Sequence, residues 1–325
     1  MPNFFDTRLF EIISIGSGPI KTTKTIDAEL CRYSKSAYYL YWNLSIAQAY
    51  LHKTENEFSF FTFIGRATLN ELWDMNALRL IESIDNRSNF LKGTAEYRSK
   101  RIIEVPIFIF VYLPGVLAQH ILIKLIDLLK SNNKKVLVFT QRPMRIEAKK
   151  RHEAAEKMFK ELQDSGVSIV LNDFPLDEFI PDNIFVHQAF NNNDNIIMES
   201  FYAIYKLMEF YFFHPEVENF LLSFFEKQEL LLFGYSIATN VNQLISAVVS
   251  AKEQISNKLK RIHRNEEAEI EAYTTIISYY NCNPEHYLAE HKKQLQELIP
   301  PSNTVISIVD SKLAGKTYQF DCLLE

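Results

Sequence analysis

The segment Val136–Asp173, VLVFTQRPMRIEAKKRHEAAEKMFKELQDSGVSIVLND, decides the fold. Lys135 to Thr140 runs apolar and β-branched into a polar turn with Pro143, the pattern of a buried strand that ends abruptly. Arg145 to Asp164 is densely charged, with apolar residues recurring at helical spacing, so a long surface helix is expected. Ser168 to Leu171 reads as a second strand. A strand, a helix and a strand in direct succession are the unit of a mostly parallel sheet covered by helices.

The same alternation extends outward from this unit. Phe10 to Ile15 is an apolar run entering Gly16-Ser17-Gly18-Pro19, which reads as a tight turn. A helix is expected over Thr25–Lys35, strands over Tyr38–Trp42 and Phe58–Ile64, and a helix over Thr68–Ile84. Ile107–Tyr112 reads as a continuous buried strand and Leu117–Leu129 as a helix. Asp194 to Phe212 is helical in pattern and rich in aromatics (Phe201, Tyr202, Tyr205, Phe210, Tyr211), with little polar face, so it should be buried on most sides. Beyond it lie a strand at Leu230–Phe233, a helix at Val241–Arg264, a strand at Ala272–Tyr280, a helix at Pro284–Leu298, and strands at Val305–Val309 and Tyr318–Leu323. The expected class is α/β, with a doubly wound, mostly parallel sheet, a long central helix and a smaller α/β C-terminal domain. The expected division is 1–193, 194–212 and 213–325.

Composition bounds the function. The 325 residues are 47% hydrophobic and 23% charged, enough for a sizeable core and unlike a disordered chain. A net charge of -5 gives no electrostatic reason to expect nucleic acid, which requires a basic patch to displace phosphate counterions. Three cysteines (Cys31, Cys282, Cys322), none in a CxxC pair, fit reduced thiols and a cytoplasmic location. The N-terminal residues lack a signal-peptide pattern. The longest apolar run, Val105 to Ala118, spans 14 residues and is broken by Pro106 and Pro114; a membrane helix needs about 20. His286 and His291, five apart, do not share a helix face as a metal pair would, and no metal is expected. No HExxH, P-loop or nucleophile elbow occurs.

Three stretches resemble the FtsZ/tubulin-like family. In Val136–Asp173 the matching residues are Thr140, Pro143, Glu147, Lys150, Arg151, Asn172 and Asp173, against the family's T-(K/R)-P-F, F-E-G, K/R-K-R and P-N-D. YWNLSIAQAYL, Tyr41 to Leu51, is similar to V-N-T-D-A-Q-A-L and keeps Asn43, Ala47, Gln48 and Ala49. AFNNNDNII resembles A-F-x-x-A-D-N-V, which opens the family's central helix. The resemblance implies that Glu147 and Arg151 contact ribose and nucleotide. It places Asn172 at the sugar and base edge, and sets Phe190 and Asp194 to stack on and hydrogen-bond a guanine. A carboxylate accepts from the N1–H and 2-amino donors of guanine, and an aromatic face stacks on any base. These five residues are expected to meet in one cleft.

The phosphate side departs from the family. Its G-G-G-T-G-T-G, whose backbone N–H groups close around phosphates, becomes Leu113-Pro114-Gly115-Val116-Leu117-Ala118-Gln119. Pro114 has no N–H, while Leu113, Val116 and Leu117 are expected to fill the phosphate space. Gly16 and Gly18 of the first turn are kept, with Pro19 inserted. The hydrolytic N-x-D-F-x-D aligns with His214-Pro215-Glu216-Val217-Glu218-Asn219, so Glu216 and Asn219 stand where catalytic carboxylates would. The resemblance thus implies a cytoskeletal, cell-division-type protein with weak or absent GTP or GDP binding and little or no GTPase activity. It would associate with itself or with an FtsZ-type filament. An active polymer with a rebuilt phosphate loop, and a nucleotide-free interaction module, are the alternatives. Each site residue also has an ordinary explanation: a surface ion pair for Glu147 and Arg151, a turn for Asn172-Asp173, core for Phe190 and a helix N-cap for Asp194.

Overall fold

The structure is a computed structural model. It describes residues 8–33, 37–44, 57–60, 71, 73–74, 77–86, 106–144, 147–172, 194, 197–205, 225, 230–238, 243–263, 274–280, 305–310 and 318–324. The strands are β1 (Arg8–Ile15), β2 (Ala37–Leu44), β3 (Glu57–Phe60), β4 (Ile107–Tyr112), β5 (Val136–Gln141), β6 (Ser168–Asn172), β7 (Leu230–Ala238), β8 (Thr274–Tyr280), β9 (Val305–Asp310) and β10 (Tyr318–Leu324). The helices are α1 (Ser17–Tyr33), α2 (described at 77–86), α3 (Val116–Ser131), α4 (Lys149–Asp164), α5 (described at 197–205) and α6 (Leu244–His263). The helix expected over Pro284–Leu298 lies outside the described residues.

The strands form one sheet in the order β3-β2-β1-β4-β5-β6-β7-β10-β8-β9. Every neighbour from β3 to β7 is parallel. β10 runs antiparallel to β7 and β8, and β9 returns parallel to β8. Hydrogen bonding continues through the division expected near the central helix, because Ile169, Val170 and Leu171 of β6 pair with Leu230, Leu231 and Leu232 of β7. The change of strand direction falls one strand later, between β7 and β10.

Strand alternation sorts the core into two layers. Ile13, Ile107, Ile109, Val136 and Val138 point to one face and form an aliphatic layer under α2, α3, α4 and α6. Phe10, Ile12, Phe108, Phe110 and Phe139 point to the other, under α1 and α5. The aromatic residues of α5 that the sequence marks for burial, Phe201 and Tyr205, close that second layer, 0% and 5% exposed. On the aliphatic side, α3 buries Leu117, Ile121, Leu122, Leu125, Ile126 and Leu129, the helical stripe its sequence carries. α6 lies so close to β7 that a Cβ on Gly234 would stand 2.3 Å from the Ala251 carbonyl oxygen. Glycine there is what permits the approach.

Helix α1 begins at Ser17, eight residues before the expected start at Thr25. Gly16 makes the whole turn by itself at φ +93, a conformation glycine adopts at little cost. Pro19 then sits in the first helical turn, where a missing N–H removes no intrahelical bond. Gly16-Ser17-Gly18-Pro19 is therefore a helix start rather than a free turn.

Candidate functional site

The strand order reverses direction between β1 and β4, the point at which open α/β sheets bind ligands beyond their strands' C-terminal ends. Ile15, Val111, Thr140 and Leu171 form one row across β1, β4, β5 and β6. Gly16 therefore leaves the sheet at the same edge as Gly115, three residues past the end of β4. Thr140 is buried in this row and donates its hydroxyl to the Val111 carbonyl at 3.1 Å.

The first wall of the edge is open. A Cβ added to Gly16 or Gly18 would meet nothing within 4 Å. The Ser17 and Gly18 amides belong to the first turn of α1, where N–H groups have no intrahelical partner, and Pro19 contributes none.

The β4 exit is tight. Leu113, Pro114 and Gly115 close a turn in which the Gly115 N–H donates to the Tyr112 carbonyl at 2.9 Å. A Cβ on Gly115 would lie 2.9 Å from that oxygen, so this glycine serves the turn. Gly115 is also the N-cap of α3, without a side-chain cap. The expectation that Leu113, Val116 and Leu117 fill the phosphate space is corrected. Leu113 and Leu117 belong to the aliphatic core, 0% and 6% exposed, and only Val116 projects outward, at 63%. Leu113 lies in the turn and Leu117 in the first turn of α3, and the core under α3 claims both.

Glu147 is neither a simple surface partner nor a free carboxylate. It precedes Ala148, the N-cap of α4, and so lies outside the helix expected from Arg145. Its Oε1 accepts the Tyr112 phenol O–H and the Met144 N–H, the latter at 2.9 Å. Its Oε2 accepts from Arg151 at 2.8 Å. The Glu147 side chain is 6% exposed while that of Arg151 is 58% exposed. Burial first, and then the Glu147 carboxylate, push the Tyr112 phenol above its ordinary range.

Asn172 ends β6 fully buried. Its Nδ2 donates to the Ser200 hydroxyl at 3.3 Å, which in turn donates to the Ile197 carbonyl at 2.7 Å. Its Oδ1 has no donor, and neither has Oε1 of Gln141, its register partner at the end of β5. Two acceptor oxygens thus stand without donors on adjacent strand ends, an arrangement that favours a ligand or water bringing N–H or O–H groups.

Asp194 sits beside α1. Burial raises its carboxyl pKa, opposed by the Lys21 charge and by a side-chain hydrogen bond with Thr22. Thr22 is one turn from Gly18, whose carbonyl its hydroxyl reaches at 3.4 Å. Folding therefore favours protonated Asp194. Its contribution to stability is full below the ordinary value of 3.8 and is lost as pH rises through the raised value. Asp194→Asn should accordingly stabilise the chain at pH 7, and the difference from wild type should shrink on acidification and vanish below pH 3.8. Urea unfolding across that range measures it; an asparagine variant less stable at pH 7 would contradict the assignment.

Of the five residues expected to converge, Glu147 and Arg151 meet directly. Asn172 ends β6 and donates to Ser200 of α5, and Asp194 interacts with Lys21 and Thr22 of α1. Phe190 lies outside the described residues, as do Glu216 and Asn219. Tyr112, Gln141 and Ser200 were not singled out from sequence. Gln141 lies one residue past the strand end expected at Thr140, and Tyr112 and Ser200 act through contacts 35 and 28 residues away. Among the described residues no cluster of His, Cys, Asp and Glu could hold a metal ion, and no helix is long and apolar enough to cross a membrane.

No protein-family model and no curated protein matches the chain by sequence. Solved structures do match it by shape. A mutant FtsZ from M. jannaschii superposes with TM-score 0.66 at 13% identity, covering 98% of this chain and 91% of that one. CetZ2 from Haloferax volcanii, in a GTPγS-bound protofilament, gives TM-score 0.66 at 15% identity, covering 97% and 92%. TubZ of Clostridium botulinum phage c-st gives 0.59 at 13% identity, covering 98% and 92%. The chain has the FtsZ/tubulin-like fold over nearly its whole length.

Proposed function

We propose that this chain is an FtsZ-like cytoskeletal protein with little or no GTP turnover, which self-associates or joins an FtsZ-type filament. The observation that carries this reading is the closed β4 exit: Pro114 has no N–H, and the Gly115 N–H is held by the Tyr112 carbonyl at 2.9 Å. A triphosphate would lose those two backbone donors. Two features support a residual guanine nucleotide site. On the phosphate side, Gly16 and Gly18 of the first turn leave open space. On the base-and-sugar side, Asn172 and Gln141 present acceptors without donors, and Asp194 is a half-buried carboxylate at α1. Arg151, Phe190 and Glu147 complete the proposed contacts, with Glu216 and Asn219 as a degenerate hydrolytic pair. The proposed division remains a nucleotide-binding-type part over 1–193, a central helix over 194–212 and a C-terminal part over 213–325, in a cytoplasmic protein.

Assembly in the CetZ2 neighbour is a protofilament with bound GTPγS. In this chain, contacts between copies would not be governed by a triphosphate. Sedimentation velocity of the full chain with GTP and Mg²⁺, with GDP, and with EDTA should return one and the same distribution. Growth that requires GTP and reverses on its consumption would refute the proposal. The occupied Glu147 favours, as a second reading, a nucleotide-free interaction module, which predicts no nucleotide released on denaturing the purified protein.

A further inference from the structure

We infer that Tyr112 is an internal competitor at this edge: its phenol holds the Glu147 carboxylate against the hydroxyl groups of a ribose-bearing ligand. The inference rests on reading the edge as a nucleotide-type site. Tyr112 is the last residue of β4, and Glu147 precedes the first turn of α4, so the contact ties the loop that leaves β4, beside the switch point, to the loop that leaves β5. Glu147 Oε1 is taken by the phenol O–H and the Met144 N–H, and Oε2 by Arg151 at 2.8 Å. With the side chain 6% exposed, the carboxylate has little surface left for a ligand. An ionised carboxylate is a strong acceptor for sugar hydroxyls. Here a hydroxyl from the same chain already occupies Oε1. A ribose hydroxyl can take that place on Oε1 only by displacing the phenol, so the exchange of one hydroxyl for another there returns almost nothing. Arg151, more than half exposed, stays available to an anion whether or not Tyr112 is displaced.

Removing the phenol oxygen frees one acceptor site while keeping the ring that fills the turn. The test compares wild type with Tyr112→Phe in the full chain, by calorimetric titration with GDP and with 2′,3′-dideoxy-GDP. Tyr112→Phe should bind GDP roughly ten- to a hundredfold more tightly than wild type, the worth of one hydrogen bond to a charged acceptor. It should gain nothing for the dideoxy analogue. Tyr112→Met, which also lacks the donor, should behave alike, and guards against a folding defect peculiar to one variant. An equal gain for both ligands would show a merely loosened turn and overturn the inference. So would unchanged GDP affinity in folded variants, including binding to neither protein. GTP-driven assembly of the wild type would sink the proposed function and leave this comparison of variants readable.

Discussion

Truncating Phe201 to alanine should cost about 3–5 kcal/mol of unfolding free energy, the range for deleting a large aromatic from a packed core. Phe201 is fully buried on α5. Its ring centroid lies 5.5 to 6.0 Å from those of Phe10, Phe108, Phe110 and Phe139, which belong to the adjacent strands β1, β4 and β5. All four pairs meet edge to face, an arrangement that stabilises beyond the area buried. The cavity would open at the centre of the layer, where neighbours on both the strand and the helix side are themselves aromatic and rigid, so collapse into it is limited. A domain with ordinary stability of about 5–15 kcal/mol would lose a large share. Urea unfolding should show a lower midpoint, and Phe201→Leu should recover most of it. Because α5 also carries Ser200, the alanine variant should loosen Asn172 as well. A variant within about 1 kcal/mol of wild type would mean that α5 is not held by this layer.

The sequence and the structure agree most closely where burial is two-sided. Ile107–Tyr112 has the same limits in both, because a continuous apolar run bounded by Pro106 and Pro114 has few other places to go. The aromatic stripe of α5 was legible for the same reason. The beginning of α1 was not. Gly16-Ser17-Gly18-Pro19 has the composition of a turn, and only the single positive φ at Gly16 shows that one residue completes it and the rest are helical. At the site, local spacing misled in a more consequential way. Glu147 and Arg151 are four apart in a charged segment, which suggests one helix face and solvent exposure. The salt bridge is real, yet Glu147 stands before the helix and is buried by a tyrosine 35 residues earlier in the chain. No periodicity within a segment encodes such a contact. Leu113 and Leu117 show the converse: the family resemblance assigned them to a ligand's space, while their own apolar character suits the core, where they lie.

Phosphate release from GTP by the purified protein should stay at the level of buffer alone. Phosphoryl transfer gives a protein little covalent work; its acceleration comes from positioning the phosphates and stabilising their charge. The loss of one preorganised donor typically costs about 10²–10³ in rate. At the β4 exit two are lost, Pro114 for want of an N–H and Gly115 because its N–H already donates to Tyr112, so a deficit of roughly 10⁴ or more is expected. Pro19 removes a further first-turn donor from α1. A Pro114→Gly change should not restore turnover, because the Gly115 amide stays turned into the Tyr112 carbonyl and the N-terminus of α3 stays set by that turn. The informative measurement is therefore phosphate release at saturating GTP and Mg²⁺, at protein concentrations high enough for assembly, for wild type, Pro114→Gly and Glu216→Ala together. Three flat, superimposable traces are the expected result. Robust release by the wild type that disappears in Glu216→Ala would mean that the closed turn opens when subunits meet, and that a working phosphate site forms only in the assembly.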